Sequence, residues 1–184
     1  MNSIDHMKFA TILITFSLLT IIPGATATAK TDSRIANREK TAQVSQYRKS
    51  SRSKVAMNPL ELLIHHRVNQ YRQAQNLPPL TFDPIVSAQA RAHSVAMANK
   101  SHLSHDGFKE RVDVVARTIA YRGAAENVAY NMGYAHPDEI AVKGWIKSPG
   151  HQHNMVGTYD LTGIGVAQNA QGEYYFTQIF ISKR

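Results

Sequence analysis

This sequence predicts an α+β fold in three layers, with helices on both faces of a central, mainly antiparallel sheet. Three features predict it: segments of helical spacing run from Pro59 to Met155, two β-rich segments close the chain, and the last of these is apolar on both alternating faces. Tyr174, Phe176 and Phe180 fall on one side of that segment and Tyr175, Ile179 and Ile181 on the other. A strand with no polar face lies between two layers rather than against water.

The chain opens on a processing signal. Met7-Lys8 precedes an apolar run from Phe9 to Ile22, then Pro23-Gly24 and the small-residue stretch Ala25-Thr26-Ala27-Thr28-Ala29. Charge, apolar core, breaker and an A-x-A site stand in the order of a secretory leader. The run is shorter than the roughly 18 residues a membrane span needs. Residues 1–29 therefore read as a signal peptide, with Met7 as an alternative start that removes Asp5 from the positive end, and the location as secreted or periplasmic. No stable transmembrane segment is expected.

Residues 30–57 read as a basic, polar linker. Between Ala29 and Met57 stand eight Lys/Arg against Asp32 and Glu39, whereas from Asn58 onward twelve Lys/Arg face ten Asp/Glu. Most of the +8 formal charge thus belongs to a segment too poor in apolar residues to offset its ordering entropy. Its two readings are a solvated spacer and an attachment to an anionic surface such as phospholipid headgroups or an acidic wall polymer. A nucleic-acid partner does not suit an exported chain whose basic stretch lacks interleaved aromatics.

Residues 58–184 form the domain. Leu60, Leu63, Ile64, Val68 and Tyr71 recur at threes and fours, predicting a helix from Pro59 to about Asn76 with these residues inward. Leu77-Pro78-Pro79-Leu80 stops it. Asp83-Pro84 caps and opens a second helix, whose inward face is expected at Ile85, Ala88, Ala92, Val95 and Ala96. Periodicity then lapses from Ser101 to Arg122, except for a short helix around Lys109 to Val115. Pro137-Asp138-Glu139 starts another helix, with Lys143 and Lys147 toward its end and Ile140, Ala141, Gly144 and Trp145 buried. Ser148-Pro149-Gly150 ends it and caps a short helix through Met155. Thr162 to Gln168 and Tyr174 to Ile181 read as strands joined by the turn Asn169-Ala170-Gln171-Gly172.

An apolar fraction of 43% excludes a disordered or collagen-like chain. With no Cys, neither disulfides nor a lipid-bearing cysteine is available, and stability rests on the core. H-E-x-x-H, G-x-S-x-G and a glycine-rich phosphate loop are all absent. The polar residues that folding does not obviously require gather in three stretches: Ser104 to Phe108, Ala125 to Ala129 and Trp145 to Asn154. Two His and one Glu drawn from such distant segments suit a zinc site with an open position, although the spacing does not demand one.

These stretches carry a family resemblance over roughly Leu60 to Ile181. The matching pieces are Val68-Asn69-Gln70-Tyr71-Arg72 with Leu77-Pro78-Pro79-Leu80, the Ala-rich helix, Ser104-His105-Asp106-Gly107-Phe108, Glu126-Asn127-Val128-Ala129, the tryptophan helix ending in Ser148-Pro149-Gly150-His151 with Asn154, and Tyr175-Phe176-Thr177-Gln178. In this order they resemble the short bacterial branch of the CAP superfamily, the cysteine-rich secretory protein, antigen 5 and pathogenesis-related 1 group. The resemblance implies an α/β/α sandwich with a surface cleft. In the eukaryotic members that cleft holds two His and two Glu able to bind a divalent ion. His105 matches the first His and Glu126 the first Glu, whereas Ser148 replaces the second Glu and Tyr175 the second His. His151 is the bacterial branch's usual histidine.

The implied cleft therefore comprises His105, Glu126, Asn127, Ser148, His151 and Tyr175, with His105, Glu126 and His151 as candidate ligands of a divalent metal such as zinc. The leading reading is a binding module for an envelope or extracellular ligand. The alternatives are a metal-assisted hydrolase of peptides or envelope polymers, with Glu126 and His105 as catalytic candidates, and a structural envelope protein with a vestigial cleft. Asn127 and Asn154 are expected to tie loops together. His65, His66, His93, His102, His136 and His153 are read as surface or packing residues.

Overall fold

A computed structural model describes residues 57–184; the expected leader and all but the last residue of the expected basic linker lie outside the described residues. Nine elements follow in order: α1 (Pro59–Ala74), β1 (Thr81–Phe82), α2 (Pro84–Lys100), α3 (Phe108–Ala116), β2 (Tyr121–Asn131), α4 (Pro137–Lys147), α5 (Pro149–Val156), β3 (Leu161–Gln168) and β4 (Tyr174–Lys183). The sheet order is β1-β3-β4-β2. β4 pairs antiparallel with β3 and β2, and only the two-residue β1 runs parallel to its neighbour. The expected mixed, mainly antiparallel architecture is what forms.

Both faces of β4 are covered. Phe176 and Phe180 pack with Ile164, Ile64, Val68, Trp145 and Met155 beneath α1, α4 and α5. Ile179 and Ile181 pack with Val86, Ala90 and Val115 beneath α2 and α3. Among the described residues no helix is long and apolar enough to cross a membrane.

Side chains cap the first two helices. Asn58 and Glu61 form a reciprocal capping box ahead of α1, with Pro59 in the first turn. The Asp83 carboxylate accepts from the amides of Ile85 and Val86 at 2.8 and 3.0 Å.

Helix faces differ from the apolar pattern. α1 buries Glu61, Ile64, Val68 and Arg72, while Leu63 is 44% exposed. The two charges tolerate burial because both are hydrogen-bonded. Glu61 receives Arg91 through Nε and Nη2 at 2.8 and 2.6 Å, and Arg72 donates to the carbonyls of Pro78, Met155 and Gly157. In α2 the inward face is Val86, Ser87, Ala90, His93, Ser94 and Met97, and Val95 faces water. Gly163 and Gly165 of β3 set this rotation. A Cβ at either would collide with the α2 backbone at Val86–Ser87 or Ala90–Arg91. Helix and strand therefore approach closely, and Ser87 and Ser94 donate their hydroxyls to the carbonyls of Ile164 and Gly165.

β2 is the largest departure. A stretch of Gly, Ala, Glu and Asn with weak strand preference becomes an 11-residue strand because β4 pairs with it from Tyr121 to Asn131.

Candidate functional site

β2 is an edge strand, and its free edge is where the two helical layers meet. Trp145 of α4 donates its indole N–H to the Val128 carbonyl at 3.0 Å, and Asn154 of α5 donates to the Glu126 carbonyl at 3.3 Å. Asn127, fully buried, donates to the His151 carbonyl and accepts from Asn154 at 2.9 Å. Asn127 and Asn154 thus fasten α5 to β2.

On the opposite face of β2, in register with Ile179, Glu126 turns toward α3 with its side chain only 2% exposed. His105, in the loop after α2, donates from Nδ1 to Glu126 Oε1 at 3.0 Å while its own side chain is 52% exposed. Arg111 of α3 grips the same carboxylate with a fork, Nε to Oε2 at 3.0 Å and Nη2 to Oε1 at 2.8 Å. Arg111 also reaches the carbonyls of Asp106 and His105. Gly107, at φ +72°, turns the loop into α3 in a left-handed conformation that suits glycine. His151, from the other layer, brings its ring centroid to 6.3 Å from that of His105.

The loop is held from behind as well. His93 Nε2 donates to the Ser104 carbonyl at 2.6 Å. Burial lowers the His93 pKa, the carbonyl bond raises it, and the Arg111 charge lowers it further. The His151 pKa is lowered first by burial and then by His105. In both rings burial therefore favours the neutral form over the charged one.

His105, Glu126 and His151 thus come together. Ser148 is half-buried at the N-cap of α5, where its side chain makes no capping bond. Tyr175 stands opposite Tyr130, further along the strands, and donates its hydroxyl to Glu173 at 3.1 Å. No hydrogen bond links Ser148 or Tyr175 to the His105–Glu126 pair among the described residues.

The set does not fit a metal centre. Both Glu126 oxygens already accept from Arg111, and a cation placed there would face a fixed guanidinium. Among the described residues no group of three or more His, Cys, Asp or Glu is placed to hold an ion. What the arrangement offers instead is an exposed imidazole oriented by a buried, charge-compensated carboxylate. Sequence reasoning missed Arg111 because Lys109-Glu110-Arg111 reads as a solvated helix face. The signal that points to it is Glu126 itself, a carboxylate in an apolar setting that requires a counter-charge.

A family model described as the cysteine-rich secretory protein family, CAP, matches residues 65–180. The Bacillus subtilis (strain 168) protein YkwD is 36% identical over 118 residues, covering 62% of this chain and 44% of its own length. The chain therefore spans less than half of that relative. An extracellular protein of Bacillus anthracis containing an SCP domain is 26% identical with a TM-score of 0.58, covering 70% of this chain and 45% of that one. An outer surface protein of Borrelia burgdorferi shares the fold at 16% identity, with a TM-score of 0.61 over 71% of this chain and 97% of its own.

Proposed function

The chain belongs to the CAP family of cysteine-rich secretory proteins, and from that premise we propose that it is an extracytoplasmic binding module. Its ligand-facing group is the His105–His151 pair at the β2 edge. The observation that carries this reading is the construction of His105: a half-exposed imidazole whose Nδ1 is committed to a buried, Arg111-compensated carboxylate. Such an arrangement holds a recognition group in one tautomer at the surface, which a purely structural histidine does not need. Export is supported by the leader-like sequence of residues 1–29 and by the extracellular relative in Bacillus anthracis. The basic linker adds an electrostatic hold on an anionic envelope.

Co-sedimentation with isolated bacterial envelopes tests both parts. Deleting Lys30 to Lys54 should abolish the fraction of binding that salt removes, and replacing His105 and His151 by Ala should abolish the fraction that salt leaves. If retention is unchanged by both, the binding reading falls.

One observation favours a second reading, hydrolysis. Glu126 engages Nδ1 of the His105 ring, which leaves Nε2 as the nitrogen that would act as a general base toward a water or hydroxyl. In that reading His105 is the base and Glu126 the positioning residue. A screen on peptides and wall polymers in which wild type and His105→Ala behave alike removes it.

A further inference from the structure

The cation that meets Glu126 is already part of the chain. The Arg111 side chain is 10% exposed and is fixed at both ends of its guanidinium, by Glu126 on one side and by the Asp106 carbonyl at 2.6 Å on the other. Its planar fork matches the two carboxylate oxygens, a geometry that a flexible lysine ammonium does not reproduce. Glu126 Oε1 also accepts the His105 Nδ1 proton. Each oxygen of this carboxylate is therefore used, and its charge is neutralised, before any ligand arrives.

We propose that Arg111 is the resident cation and specificity-determining residue of this cleft. It occupies the carboxylate that a divalent ion would need and so makes the cleft metal-independent. Because Nδ1–H is given to Glu126, Nε2 is the ring nitrogen of His105 left for a ligand. The ligand group selected is a hydrogen-bonding polar group rather than a metal ion. The inference rests on the reading of this cleft as the functional site. Its test uses zinc alone, however, so its failure is distinct from a failure of envelope binding.

Zinc titration calorimetry on the untagged full chain compares wild type with Arg111→Met, which keeps an apolar stem and removes the charge. Wild type should take up no stoichiometric zinc. Arg111→Met should gain one site per chain, at least roughly tenfold tighter than any wild-type binding, because Glu126 is freed beside His105 and His151. Adding Glu126→Gln to Arg111→Met should erase that site. A wild-type site that Glu126→Gln abolishes, or a folded Arg111→Met protein that gains none, overturns the proposal. If Arg111→Met does not fold, the imidazole 15N spectrum of wild type decides. His105 in the Nδ1–H tautomer and unmoved by equimolar zinc supports the proposal, and any other tautomer or a zinc-induced shift overturns it.

Discussion

The two faces of the sheet are held by different means. Beneath α1, α4 and α5 the contact is volume: Trp145, Phe176, Phe180, Ile64 and Met155 fill the space between layers. Beneath α2 the contact is proximity. Gly163 and Gly165 let the helix backbone settle on β3, and hydroxyls of Ser87 and Ser94 bond to strand carbonyls. The aromatic face buries more apolar area, so hydrophobic transfer and dispersion dominate there. The close-packed face relies on shape and on satisfied polar groups, and it supports the loop that carries His105. A face that cannot slide without breaking hydrogen bonds is a suitable base for a fixed imidazole.

The largest effects expected from breaking this contrast come from one substitution on each side. Trp145→Ala should cost about 4 kcal/mol in chemical denaturation, since it leaves a large void and removes the bond to the Val128 carbonyl. Gly165→Ala should cost about 2 kcal/mol by overpacking, although it adds only one methyl group. It should also displace α2 and perturb the His93 and His105 NMR signals, whereas the effect of Trp145→Ala should centre on α4 and β2. A cost for Gly165→Ala below roughly 0.5 kcal/mol would mean the close approach is not a constraint.

A smaller effect sharpens the same comparison through pH. His65, on α1, and His93, on α2, both have pKa values lowered from 6.5, chiefly by burial, and His151 behaves likewise. A histidine with a depressed folded pKa binds its proton more readily when unfolded. Its contribution is therefore present above about pH 6.5 and lost as pH falls through the folded value. The melting temperature should drop from about pH 7.5 to about pH 5.5, before the carboxylates titrate. His93→Gln should reduce that drop, and a melting temperature that rises on acidification would reverse the assignment.

Much of the architecture is legible in the residues. Asp83-Pro84, Pro137 and Ser148-Pro149 place helix starts, and the closing hairpin forms where its turn composition predicts. The double-faced apolar pattern of Tyr174 to Ile181 identifies a central strand and through it the three layers. Less legible are the faces of α1 and α2. Apolar periodicity alone treats Glu61, Arg72, Ser87 and Ser94 as outward, yet each is buried with its polar atoms bonded. β2 is not legible as a strand, because its residues become strand-like only through pairing with β4.

The candidate site divides in the same way. His105, Glu126, Asn127 and His151 can be picked out as polar residues in segments that match a family pattern, and the fold brings them to one edge. Arg111 cannot be picked out this way, since nothing local marks an arginine on a short helix as the partner of a carboxylate 15 residues on. By itself the sequence determined the helices, the closing hairpin and the layered class, because these depend on short-range spacing and on the burial of one strand. Tertiary structure alone decided which polar groups went inside and which cation met Glu126. Those outcomes depend on which side chains come within about 3 Å of each other, a distance that only the packed chain defines.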